Sequence, residues 1–133
     1  MNRTVMVAIN RVANVVVGKL KPKSFRGGQL LYLRTIGRKT GGERMTPLCY
    51  LPDGDSWIVA ASNGGNDWEP GWWLNLQAGS PATVDGTPVT GAEVEEPERA
   101  EWWARLNAVL DYEAYQRKVS RRIAVVRLTP TPG

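Results

Sequence analysis

The sequence contains no histidine, one cysteine and one phenylalanine in 133 residues. Without histidine the usual zinc, haem and blue-copper ligand sets are missing, and so are Ser-His-Asp and Cys-His catalysis. A single cysteine, Cys49, excludes an intramolecular disulfide and suits reduced, intracellular surroundings. No apolar run approaches the ~20 residues of a membrane span, and no small-residue cleavage site marks a signal peptide. Acid is scarce at both ends. Residues 1–44 hold ten Lys/Arg and one acid, Glu43; residues 45–116 hold two Arg and twelve acids; residues 117–133 hold five cations and no acid. Segment charges of +9, −10 and +5 predict a basic face or groove built from the two ends of the chain, with ordinary solvated charge as the plain alternative.

The length fits one domain with one hydrophobic core over residues 1–133, of which 1–28 form an N-terminal helix and a basic loop. Val5, Ala8, Ile9, Val12 and Val16 recur at helical spacing, so Thr4–Val17 reads as an amphipathic helix. That helix packs on the core or lies on a membrane surface. Strand-like segments follow at Leu30–Ile36, Arg44–Leu51 and Trp57–Ala61, with Pro52-Asp53-Gly54-Asp55 as a turn. A short helix is expected from Pro70 to Gly79, then a hairpin of Ala82–Val84 and Val89–Val94 across Asp85-Gly86-Thr87-Pro88. A second helix runs from Pro97-Glu98 to Leu110, Asp111–Val119 extends it or forms another, and Ile123–Leu128 is a last strand. Six short strands without β-α-β alternation predict a mainly β protein, a small antiparallel barrel with helical additions; a sandwich is the alternative.

The stretch Thr35–Tyr50 combines a glycine-rich turn, Gly37-Arg38-Lys39-Thr40-Gly41-Gly42, with a further cation, Arg44. It lacks the spacing of a nucleoside-triphosphate P-loop, and it reads either as an anion-binding hairpin or as a turn whose charges stay in water. Ser62-Asn63-Gly64-Gly65 exposes backbone N–H groups with little side-chain bulk, suiting a phosphate or a ring carbonyl, or merely connecting two elements. Six tryptophans are many for this length, and in the neighbouring pairs Trp72-Trp73 and Trp102-Trp103 one ring of each is expected to line a cleft or meet solvent. Tyr112 and Tyr115 share a helical face. Cys49 reads as a small buried hydrophobe.

These residues resemble the deazaflavin (coenzyme F420)-dependent nitroreductase and quinone reductase family of actinobacteria. The resemblance runs from about Leu30 onward through G-R-K-T-G-G-E-R at Gly37–Arg44, P-L-C-Y at Pro47–Tyr50, A-A-S-N-G-G at Ala60–Gly65, P-G-W-W-L-N-L at Pro70–Leu76 and Y-E-A-Y-Q at Tyr112–Gln116. It implies a split β-barrel of about six antiparallel strands with two to three short helices, and reduced coenzyme F420 as cofactor. By the same resemblance Arg38, Lys39, Thr40 and Arg44 clamp the acidic tail of the cofactor. Pro47, Cys49, Ala60, Ser62, Asn63, Gly64 and Gly65 border its ring, Trp72 and Trp73 match an aromatic pair of the cofactor site, and Tyr112 and Tyr115 flank the substrate. The chain departs at Asn63 and Cys49 from one enzyme of that family, which has a lysine and a tyrosine at these places.

The implied reaction passes a hydride from the reduced deazaflavin to a quinone, nitroaromatic or activated enone, with Ser62, Tyr112, Tyr115 or solvent as proton source and no metal. The location implied is cytoplasmic, with peripheral membrane contact through the N-terminal helix, as a monomer or weak dimer. A different class of reading is a non-enzymatic module that binds nucleic acid, an anionic membrane, or another flavin or tetrapyrrole. Aromatic residues are sparse among the N-terminal cations, which disfavours a nucleic-acid stacking platform.

Overall fold

The computed structural model describes residues 24–25 and 28–132; the expected helix at Thr4–Val17 and the basic loop after it, apart from Ser24–Phe25, lie outside the described residues. Strands β1 (Ser24–Phe25), β2 (Gly28–Ile36), β3 (Glu43–Asp53) and β4 (Ser56–Ala60) come first. A 3-10 turn at Asn63–Gly65 and helix α1 (Gly71–Gln77) lead to the hairpin β5 (Ala82–Val84) and β6 (Thr87–Glu93). Helices α2 (Glu98–Val109) and α3 (Tyr112–Lys118) precede the last strand, β7 (Val125–Pro130).

All pairings are antiparallel, in the order β1-β2-β3-β4-β7-β6-β5, and β5 returns to β2 through Leu33↔Val84 and Thr35↔Ala82. That return closes six strands into a barrel, as the spacing of short strands predicts, and leaves β1 as a two-residue addition at the start of β2. The hairpins are tight. Asp85 and Gly86 both have positive φ, 48° and 89°, the conformation that matches the twist of two adjoining strands. The expected four-residue turn at Pro52–Asp55 shrinks to Gly54-Asp55, because β3 keeps its ladder to β4 as far as Asp53↔Ser56. The last strand begins two residues later than its apolar run suggests, since Ile123 and Ala124 are spent on packing before the ladder starts at Val125.

Strand alternation sorts the apolar residues into two layers. Leu31, Leu33, Val59, Val84, Val126 and Leu128 point into the barrel, with Leu48, Tyr50 and Trp57 partly buried against them. Ile58, Ala60 and Val125 point outward and are covered by Trp102, Leu106 and Tyr112 from α2 and α3. Helix α1 brings Trp72 and Trp73 into the inner layer, and at Gly91 of β6 a Cβ would stand 2.9 Å from the Leu76 methyl, so the glycine admits that helix. Both tryptophans are 5% exposed. The expectation that one ring of this pair meets a cleft or solvent is therefore overturned: α1 is short and lies against β2 and β6, so successive side chains both reach the core. The other pair follows the expectation, with Trp102 buried and Trp103 half-buried.

Helices α2 and α3 are separate. Leu110 is extended, and the Asp111 carboxylate accepts the Ala114 amide at 3.0 Å, a side-chain cap that starts a new helix. The sheet also opens at one place. β3 pairs β4 only over Leu51–Asp53, whereas from Tyr50 back to Glu43 it is laddered to β2. On its other edge β4 pairs β7 from Trp57 to Ala60, and past Ile58 its edge toward β3 has no ladder. The barrel thus parts between β3 and the end of β4, beside the outward layer that carries Tyr112.

Candidate functional site

The turn Gly37–Gly42 stands at one end of this opening. It is closed by two backbone bonds, from the Gly37 amide to the Gly42 carbonyl at 2.7 Å and from the Gly41 amide to the Gly37 carbonyl at 2.8 Å. Asn75 of α1 fixes it from beneath: one oxygen, Oδ1, accepts both the backbone amide and Nη1 of Arg38, each at 3.1 Å. Asn75 Nδ2 in turn donates to Oγ1 of Thr35 at 3.2 Å, and both residues are buried. Ser80 Oγ accepts the Ile36 amide at 2.8 Å, a second brace from the same side. Arg44 reaches back over the turn, donating to Thr40 Oγ1 and to the Glu43 carbonyl.

Arg38, Lys39, Thr40 and Arg44 are all exposed. Among the described residues none of the three cations is paired with a carboxylate; the acid nearest in the chain, Glu43, is engaged by Arg34. Positive charge is therefore concentrated on a turn that is itself rigidly held, an arrangement suited to an anion.

The second region lies along β3 and across the opening. Met45, Pro47, Cys49 and Leu51 share one face of β3, and Leu51 packs in the outward layer with Ala60 and Tyr112. Tyr112 is buried and its phenol is pushed well above its ordinary value, first by burial and then by the neighbouring Cys49 and Tyr115. Burial also pushes the Cys49 thiol up. The rings of Trp103, Tyr112 and Tyr115 follow one another at 6.2 Å between centroids.

Tyr115 meets the loop after β4. Gly65 has φ +84°, and a Cβ there would lie 3.2 Å from the Tyr115 ring, so the close approach requires glycine. Ser62 is right-handed helical while Asn63 and Gly64 have positive φ, a single switch of hand that turns the Asn63 and Gly64 N–H groups toward one side; the Gly65 and Asn66 amides bond back to the Ser62 and Asn63 carbonyls. Asn63 Nδ2 donates to the Trp68 carbonyl at 3.0 Å, which ties its side chain back to its own loop.

The structure thus gathers Cys49, Ala60, Tyr112 and Tyr115 with the Ser62–Gly65 loop, and places Pro47 on the strand face leading to them. Arg38, Lys39, Thr40 and Arg44 form a separate group at the far end of that strand. Trp72 and Trp73 join neither group; they seat α1, and through it Asn75. Asn75, Thr35 and Ser80 were not singled out from the sequence. The available signal was an asparagine three residues after Trp72, on the face of a helix that is otherwise buried.

Comparison with known proteins supplies the context. The sequence model of the F420H(2)-dependent quinone reductase family matches residues 3–130. An F420H(2)-dependent quinone reductase of Mycobacterium tuberculosis, Rv1261c, is 38% identical over 107 residues, which cover 74% of this chain and 72% of that protein. Among solved structures, an F420-H2 dependent reductase, FDR-A, superposes with a TM-score of 0.62 at 29% identity, covering 74% of this chain and 92% of the other. A second, described as a domain-swapped dimer, gives a TM-score of 0.69 at 26% identity over 96% of this chain and 99% of that one.

Proposed function

The chain belongs to the F420H(2)-dependent quinone reductase family, oxidoreductases that depend on coenzyme F420, and on that premise we propose that it reduces a small quinone with a hydride from reduced F420, held along strand β3. One observation carries the placement: β3 runs from the cationic turn to the aromatic cluster. Cys49 lies five positions along β3 from Arg44, about 17 Å of extended chain, which suits a long cofactor with a ring at one end and an acidic tail at the other.

The residues present fit that group. The turn offers three exposed cations and a hydroxyl, a donor set for several carboxylates or a phosphate; a single small anion needs fewer. The loop offers N–H groups without side-chain bulk, and the half-buried strand face at Pro47 and Cys49 is apolar. Arg38, Lys39, Thr40 and Arg44 would hold the tail, and Pro47, Cys49, Ala60, Ser62, Asn63, Gly64 and Gly65 would border the ring. Hydride transfer to an electrophilic carbon is the chemistry that reduced F420 supplies when bound.

The protein's own work is placement and proton supply. Tyr112 carries its phenolic proton at neutral pH, as any phenol does, and burial extends that neutral form further into the alkaline range. Tyr115 is half-buried at the edge of the same cluster, and it or Ser62 would deliver the proton that a quinone oxygen takes up. Nitroaromatics and activated enones share the electrophilic character of a quinone and fall within the same proposal. We assign the reaction to the cytoplasm, where Cys49 stays a thiol; among the described residues no helix is long and apolar enough to cross a membrane. The test is steady-state oxidation of reduced F420 on addition of menadione. Turnover is expected; bound cofactor without oxidation would point to another acceptor.

A further inference from the structure

Two walls of the proposed ring site, the Ser62–Gly65 loop and helix α3, come from distant parts of the chain. Both are held by the segment Ser120–Ile123. Arg121 Nη1 donates to the Ala61 carbonyl at 3.1 Å, while Nη2 donates to the carbonyls of Ser62 at 3.2 Å and Asn66 at 3.1 Å, so one guanidinium grips both ends of the loop. On the other side, Gln116 of α3 donates from Nε2 to the Arg121 carbonyl at 2.7 Å and accepts the Ile123 amide at 2.9 Å. The Ser120 amide adds a bond to Asp67 at 3.1 Å.

We propose that Arg121 is the positioning residue of the ring site: by drawing the Ala61, Ser62 and Asn66 carbonyls inward it keeps the switch of hand from Ser62 to Asn63 in place and registers that loop against Tyr115. This rests on the assignment of the loop to the F420 ring. The side chain is 14% exposed, its Glu69 contact is a long 3.9 Å, and its Nε is buried with no partner. A buried charge with incomplete pairing is a poor device for stability alone, since an apolar residue there would avoid the desolvation. What a guanidinium does and an apolar side chain does not is collect three carbonyls in a fixed fork. With the carbonyls turned in, the Asn63 and Gly64 N–H groups are left for the opposite side, while those of Gly65 and Asn66 bond within the loop at 3.0 and 3.2 Å.

The test compares R121M and R121K with the wild-type protein. Amide hydrogen exchange without cofactor reads the loop directly: R121M should speed exchange at Gly65 and Asn66, whose amides bond within the loop, by tenfold or more, with strands β4 and β7 unchanged. Titration with oxidised F420 should give a dissociation constant raised about tenfold in R121M, with an unaltered salt dependence because the cationic turn is intact, and R121K should recover part of the affinity. If R121M does not fold, R121K carries both measurements, with smaller shifts of the same sign. Unchanged loop exchange in a folded variant would overturn the proposal. Faster exchange with wild-type F420 affinity would also overturn it, by showing that the loop does not register the ring. Failure of the wild-type protein to bind F420 would instead overturn the ring-site assignment, while the exchange measurement would still decide what Arg121 holds.

Discussion

Asn75 Oδ1 receives both the backbone amide and the guanidinium of Arg38, so a single buried oxygen sets the direction of the turn and of its first cation. Removing it should cost twice. N75A leaves the Arg38 amide and the buried Thr35 hydroxyl short of a partner, a loss of about 1–3 kcal/mol of stability by the usual penalty for an unmade buried hydrogen bond. It should also weaken F420 binding. N75D keeps an acceptor but sets a carboxylate about 3 Å from Arg38, drawing off the charge meant for the ligand. Its affinity should fall further than that of N75A, although its fold is better preserved. Thermal unfolding together with F420 titration checks both; equal affinity in the two variants would remove the electrostatic part of the argument.

Glu43 is the acid nearest the cationic turn in the chain, and it forms an ion pair with Arg34. Both partners are exposed, so the pair contributes little to stability. E43Q should therefore leave the melting temperature within about a degree while tightening F420 binding severalfold at low salt, because a charge that repels the tail is lost and Arg34 is released. The gain should vanish at roughly 1 M salt, where screening is complete within a few ångströms. A gain that persists at high salt would show a contact, not a field.

Tyr112 links the site to alkaline stability. Its folded-state value is raised by burial, so its contribution is fully present below the unfolded value near 10 and is lost as pH rises through the folded one. The wild-type protein should lose stability from about pH 10 upward, and Y112F should lose less over the same range. Denaturant titrations at pH 8 and pH 11 read the difference. For turnover, Y112F and Y115F should alter quinone reduction more than F420 affinity; unchanged kinetics in both would remove the phenols from the reaction.

Cys49 is half-buried with its thiol pushed up by burial, so little thiolate is present at neutral pH. Alkylation by iodoacetamide at pH 7.5 should run at least tenfold slower than for a small free thiol, and saturating F420 should slow it further. Alkylation unaffected by F420 would move the ring away from Cys49.

Much of this architecture was legible in the sequence. The strand pattern, the Asp85-Gly86 turn and the loops at Gly37–Gly42 and Ser62–Gly65 are local signals, carried by alternation and by glycine. What escaped was long-range. Asn75 lies 37 residues from Arg38, and Arg121 lies 59 from Ser62, so neither hydrogen bond has a sequence signature. The Trp72-Trp73 pair misled for a related reason. Adjacent tryptophans on an isolated helix would diverge, but α1 is a short helix set against the barrel, and its neighbours decide what is buried. The parting of β3 from β4 was equally invisible, since β3 continues as one strand through it.

In the proposed function, β3 joins the cationic turn and the aromatic cluster into one site for one long ligand. That arrangement is tested most directly by competition between F420 and its deazaflavin core lacking the acidic tail, measured on the wild-type protein and on R38A/K39A at low ionic strength. Wild type should bind the tailed cofactor at least tenfold tighter than the core, and the double variant should bind the two alike with its affinity for the core unchanged. Equal binding of both ligands by the wild-type protein would contradict it.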